Sequence, residues 1–382
     1  MHYTKTMQIR RTKIDKIIGT LTSASIVFWL MPPIMLLLIA GTMAQRWMGL
    51  YQSIDKIFAS FIIWFPIGAI NLPLPGGFTL LALLSLHLAL KFLFKSQWSW
   101  RKSGIILAHL GALILLIGGL LTAMLARETY MLIPEGQETP YIYHYTNRNL
   151  SIFENGYERL RLPYHTRKKW QNSKEYQSLP FQIEILESYN NATIKHRKDD
   201  PDFNENTQYQ SMAAFMDLQE QPEALEPEAN MTGLELTLSG TNVDGRYVAF
   251  DGMPKPIEFK SGGKNYTLIF GKEQFTLPFS IRLTDFVKHT YAGTNMAKNY
   301  HSDIIVKDGD IEWPVRIEMN EPLRYKGYTF FQSSFDDTGE IEMTILAVVE
   351  NSGWLIPYIG TGILGLGLLL HTLITIRQGG KK

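Results

Sequence analysis

The sequence contains no cysteine. That absence excludes disulfides, thiolate nucleophiles, Cys-ligated zinc, iron–sulfur clusters and covalent haem attachment to this chain itself. There is also no excess of one charge: 37 Lys and Arg stand against 36 Asp and Glu. No basic surface of the size that nucleic acid binding needs is implied. A glycine-rich phosphate loop, a Ser/His/Asp grouping and a paired-carboxylate constellation are missing too, which argues against an enzyme acting alone.

What the chain does have is long apolar runs. They occur at Ser23 to Ala44, Phe78 to Phe94, Gly104 to Leu125 and Trp354 to Ile376, each near the roughly 17–25 residues that span a bilayer. The basic segment before the first run is long and no small-x-small cleavage pattern follows it, so it is read as an uncleaved first helix. Four crossings put both ends on one side. Lys5, Arg10, Arg11, Lys13 and Lys16, then Lys95, Arg101 and Lys102, then Arg377, Lys381 and Lys382 all fall on that side, which marks it as cytoplasmic. The expected organisation is a tail at 1–22, spans at 23–44, 78–94, 104–125 and 354–376, an outer loop at 45–77, a cytoplasmic loop at 95–103, a large outer domain at 126–353 and a tail at 377–382. In the outer loop, Ile54, Ile57, Phe58, Phe61 and Phe65 recur at helical spacing, predicting a helix at the outer interface.

From Arg127 to about Gly353 the composition turns polar, with short alternating runs such as Phe181 to Ile185, Leu234 to Leu238 and Glu342 to Leu346. Those are half-buried strands, and a mainly β, sandwich-like domain is expected. The stretch 195–228 is poor in apolar residues and carries Asp199, Asp200 and Pro201, which predicts a flexible insertion.

Three histidines sit inside the spans: His87, His109 and His371. Ionisable groups in a bilayer are rare and usually functional. At the helical rise they lie about 12 Å from Lys95, 10 Å from Lys102 and 9 Å from Arg377 respectively, in one layer of the membrane. Gly360, Leu364, Gly367 and His371 share a helix face, as do Gly104, Ala108, Gly111 and Gly118, and such small-residue faces mark close helix contacts. His109 is rotated more than about 90° from its glycine face. His87 stands among leucines, where a neutral imidazole without a partner is costly and a haem iron would be a strong partner. For each histidine the alternative is a hydrogen bond across a helix contact. The remaining histidines, His144, His165, His196, His289 and His301, have no metal-ligand spacing and read as surface residues.

Several stretches resemble the ResB (CcsB) family of System II cytochrome c biogenesis. They are Gly41 to Tyr51, Leu72 to Gly77, Gly104 to Gly111, Met319 to Ser334 and Val348 to Pro357. The three-plus-one arrangement of helices about an outer domain matches as well. The resemblance implies a bacterial inner-membrane protein with its large domain on the periplasmic side. It implies haem b as cargo, exported and attached to apocytochrome c together with a CcsA-type membrane protein that carries a tryptophan-rich haem-handling motif. Thioredoxin-like thiol reductases would keep the apocytochrome reduced. A haem-ligating histidine of the family's second helix corresponds to His87. His109 and His371 receive no role from the resemblance. In the outer domain, Tyr328, Phe330 and Phe331 offer an aromatic surface for an apocytochrome, or else sheet core at alternating positions. Two other readings stay open: a scaffold that binds no haem, and a b-type cytochrome subunit of a quinone-linked complex.

Overall fold

The computed structural model describes residues 16–68, 70–96, 98–197, 208–294 and 296–379. Among these, four helices are long and apolar enough to cross a membrane: α1 (Ala24–Ser53), α2 (Gly77–Lys95), α3 (Ser103–Leu125) and α4 (Ile356–Gly379). They leave large apolar side chains such as Phe28, Trp29, Leu36, Leu86, Leu121 and Leu369 uncovered, the reverse of a water-soluble helix and the arrangement hydrocarbon requires. The chain is a membrane protein. Of the basic residues that oriented the spans, Lys5, Arg10, Arg11, Lys13, Lys381 and Lys382 lie outside the described residues.

α1 begins at a break. Residues 16–21 are helical, Thr22 and Ser23 are not, and the Ser23 hydroxyl caps α1 by accepting from the Ser25 N–H at 3.3 Å. The helix is interrupted again at Gly49, whose φ of +78° and ψ of 167° suit a residue without Cβ. Beyond that turn the chain returns alongside α1. Ser53, fully buried, donates to the Gly41 carbonyl at 2.7 Å, and the Phe58 ring fills the space where a Cβ on Gly41 would sit.

The helix expected through Phe61 and Phe65 stops at Phe58. A hairpin replaces it: β1 (Ile62–Ile67) pairs antiparallel with β2 (Ile70–Pro75). Three prolines and four isoleucines favour extended backbone over the helix that the spacing alone suggests. The Gly76-Gly77 pair closes the hairpin because a Cβ on either would strike the backbone at Ser60 or Phe58.

Between α3 and α4 the chain is mainly strand. In order these are β3 (Arg127–Pro134), β4 (Glu138–Glu154), β5 (Tyr157–Pro163), β6 (Gln182–Tyr189), β7 (Ala192–His196), β8 (Met216–Glu220), β9 (Gly233–Ser239) and β10 (Gly245–Phe250). They continue as β11 (Ile257–Ser261), β12 (Lys264–Thr290), β13 (Ala297–Asp308), β14 (Ile311–Glu318), β15 (Leu323–Tyr325), β16 (Tyr328–Asp336) and β17 (Met343–Glu350). The helices and this β domain, Glu128–Val349, form separate units.

The large sheet runs β14-β13-β12-β4-β3-β17-β16-β15, with β5 and β11 paired to β4 and β12. β4 and β12 are long enough to serve two cores. At one end Leu150, Ile152, Leu268 and Phe270 pack against Leu234, Leu236 and Leu238 of the separate β10-β9-β6 sheet, a sandwich. At the other end Ile142, Ile281 and Leu283 join Val306, Phe330, Leu346 and Val348. There β14 lies against β15 and β16, from opposite ends of the strand order, so this half of the sheet curls toward a barrel.

The stretch expected to be a flexible insertion is built into the domain where it is described. β7 and β8 pair, and Arg197 is buried, donating to the Ala213 carbonyl at 2.5 Å and to Asp217 at 2.9 Å. Its guanidinium also stacks on the Tyr209 ring. A side chain whose charge is neutralised internally folds a polar segment that composition alone marks as solvated. Asp199, Asp200 and Pro201 lie outside the described residues.

Candidate functional site

His87 sits on α2, in a stretch without charge from Ile57 to Leu90, and is 3% exposed. Its Nδ1 lies 2.7 Å from the carbonyl oxygen of Leu21, the last residue before the helix break. Carbonyls in the last turn of a helix lack donors of their own, and this one is satisfied by the ring. A carbonyl oxygen only accepts, so Nδ1 carries the proton and Nε2 carries a lone pair. That Nε2 is buried and has no hydrogen-bond partner. A neutral imidazole held through Nδ1 with Nε2 bare is the form in which histidine binds a metal. The ring is also enclosed by the chain, so a porphyrin reaches Nε2 only if the surrounding helices move.

His109 and His371 stand elsewhere. The predicted glycine faces do meet. A Cβ on Gly104 would strike the His371 backbone, one on Gly111 the Leu364 backbone, and one on Gly367 the Ala108 backbone. α3 and α4 therefore run antiparallel in backbone contact. His371 enters this contact through its backbone while its ring stays half-exposed. His109 is half-buried off the glycine face, and its Nδ1 lies 2.7 Å from the Ile105 carbonyl one turn earlier. Among the described residues no ring contact joins His87, His109 and His371, so the structure sets one enclosed imidazole apart from two on the helix surfaces.

In the β domain, His144 accepts from the Thr146 and Asn147 N–H groups at 3.1 Å and shapes a turn within β4. The rings of His289 and His301 lie 6.1 Å apart across β12 and β13. No three of His, Cys, Asp and Glu gather at metal-holding distance among the described residues. A recess of about 620 Å³ is lined by Tyr130, Tyr143, Met231, Met253, Phe270 and Lys272. Burial holds the Lys272 ammonium below its ordinary pKa and raises the Tyr130 phenol, and the two groups pack 4.9 Å apart, cation over ring.

The aromatic strand divides as sheet geometry requires. Phe330 is fully buried beside Phe279, whereas Phe331 on the opposite face is exposed. Gln332, next in the same strand, was not singled out by its sequence. It lies within the core, where its amide nitrogen donates to Thr344 at 2.9 Å and its amide oxygen lies 2.7 Å from the Ser302 hydroxyl. This trio joins β13, β16 and β17.

Residues 258–358 match the ResB-like family. The chain is ResB-like through this segment. The ResB-like stretch runs from β11 through β17 into the first turn of α4 and so supplies the strands of the curled half of the large sheet other than β3 and β4. His87, His109 and His371 all lie outside it. A relative, Protein NrfI of Wolinella succinogenes, is 34% identical over 108 residues, which amount to 28% of this chain and 12% of NrfI.

Proposed function

We propose that this ResB-like chain acts in cytochrome c biogenesis as one subunit of a System II synthetase. It binds haem b in the inner-leaflet half of the bacterial cytoplasmic membrane, in complex with a CcsA-type partner, and takes part in its passage outward to apocytochrome c. Support for the pathway comes from the ResB-like segment and the membrane helices. Support for a direct part in haem handling comes from one observation above all: an imidazole in the helices whose Nε2 is buried, bare and held by its second nitrogen.

In this reading haem is cargo, and His87 supplies the chain's ligand to its iron. The CcsA-type partner brings the tryptophan-rich haem-handling motif. The cluster Lys95, Arg101 and Lys102 faces the cytoplasm, where haem is taken up, and the β domain faces the apocytochrome, whose thiols are kept reduced by thioredoxin-like proteins. Because His87 is enclosed within this chain, loading requires the helices to part, and the partner drives that opening.

The enclosure of His87 also favours a second reading, in which the ring only ties α2 to the helix break and the chain is a scaffold. Purifying the chain with and without a CcsA-type partner and recording haem absorption separates the readings. Haem present only with the partner supports the synthetase subunit. Haem held by the chain alone and electrochemically active points to a b-type cytochrome, and haem in neither preparation points to the scaffold.

A further inference from the structure

The helix break before α1 has no obvious cause in the sequence, since Leu21, Thr22 and Ser23 include neither glycine nor proline. A hydroxyl caps its far side. In an unbroken helix the Ser25 N–H would donate to the Leu21 carbonyl four residues back. Here it donates to the Ser23 side chain at 3.3 Å instead, and Thr22 closes the preceding turn by donating to the Ile18 carbonyl at 2.7 Å. The Leu21 carbonyl is thereby released and accepts from His87, 66 positions along the chain. Two features of the ring point past a simple cap: it is buried, and its second nitrogen has no partner.

We infer that Ser23 is a positioning residue for His87: by capturing the Ser25 N–H it frees the Leu21 carbonyl to hold the imidazole as the Nδ1–H tautomer, leaving the Nε2 lone pair for haem iron once the helices part. The inference rests on the proposed haem-binding role for the ligand step, while the tautomer stands on the structure alone. A carbonyl on Nδ1–H also makes Nε2 a stronger donor, and removal of such partners typically weakens metal binding by about 10–100-fold.

The test uses the full chain in complex with its CcsA-type partner, as parent, Ser23→Ala, Ser23→Thr and His87→Ala. Nitrogen-15 NMR of labelled histidine reads the His87 tautomer, and redox titration reads the haem potential. Before haem is loaded, the parent should show a protonated Nδ1 and an unprotonated Nε2. Ser23→Ala returns the Ser25 N–H to the Leu21 carbonyl, so the tautomers should mix, haem affinity should fall about 10–100-fold and the potential should rise as Nε2 becomes a weaker donor. Ser23→Thr keeps a capping hydroxyl and should restore the parent values. A protonated Nε2 in the parent, or a tautomer and potential unmoved by Ser23→Ala, would overturn the inference. Haem retained unchanged in His87→Ala would instead overturn the ligand role on which the second half depends, leaving the tautomer measurement to stand or fall separately.

Discussion

The backbone of His371 occupies the space beside Gly104 where any Cβ would have to go. α3 and α4 are thus fitted to each other by the absence of side chains, and the fit repeats at Gly111 against Leu364. Gly111→Val should separate the pair and lower the thermal midpoint of the purified protein by the equivalent of about 1–3 kcal/mol, the usual cost of overpacking. Gly119→Ala, on the same helix with nothing near its Cβ position, should be neutral or slightly stabilising. Equal losses in both variants would contradict this account of the helix contact.

The spans and their contact faces were legible because length, apolarity and small-residue spacing are local properties. Gly360, Leu364 and Gly367 declare a face whatever lies opposite. The strands around Leu234 and Leu346 were legible for the same reason. What escaped were features decided by distant partners. Ile54 to Phe65 has helical spacing, yet the chain turns into a hairpin once Gly76 and Gly77 admit the backbone of Phe58 and Ser60. Arg197 reads as solvated until Ala213 and Asp217 surround it. His87 was visible as a buried histidine, but its hydrogen bond to Leu21 depends on a helix break that no residue type announces.

Gln332 lies in the core with Ser302 and Thr344. Replacing it by Met removes the amide that both hydroxyls use and leaves them only each other, 2.8 Å apart. Gln332→Met should destabilise the β domain by about 1–3 kcal/mol, read as a shift in the denaturant midpoint. A midpoint equal to the parent's would show that the trio contributes nothing net.

Arg148 donates to Asp251 at 3.2 Å, to the Thr146 carbonyl at 2.5 Å and to the Asn230 carbonyl at 2.8 Å, with its side chain 5% exposed. Removing one member of a buried pair strands the other charge, so Arg148→Met should cost about 3–5 kcal/mol. Arg148→Lys should recover little of this, because an ammonium cannot span three acceptors as the planar guanidinium does. Chemical denaturation of both variants decides the point, and full rescue by Lys would refute it.

Glu154 accepts from Lys264, Arg159 and Tyr266, and these contacts, Lys264 first, hold its pKa down to about 2 from an ordinary 4.5. The folded domain therefore binds this proton less readily than the unfolded chain does. The resulting stability is fully present above about 4.5 and is lost as pH falls toward about 2. Thermal midpoints measured across that window should fall more steeply for the parent than for Glu154→Gln. Parallel slopes would contradict the assignment.

The most direct test of the central claim is the haem content of the chain co-purified with its CcsA-type partner, parent against His87→Ala, quantified per complex by absorption. Ligation through Nε2 predicts that the parent carries haem, that the alanine variant loses it while still assembling, and that added imidazole restores the absorption band. An alanine variant that assembles with the parent's haem content and the parent's spectrum would contradict the account.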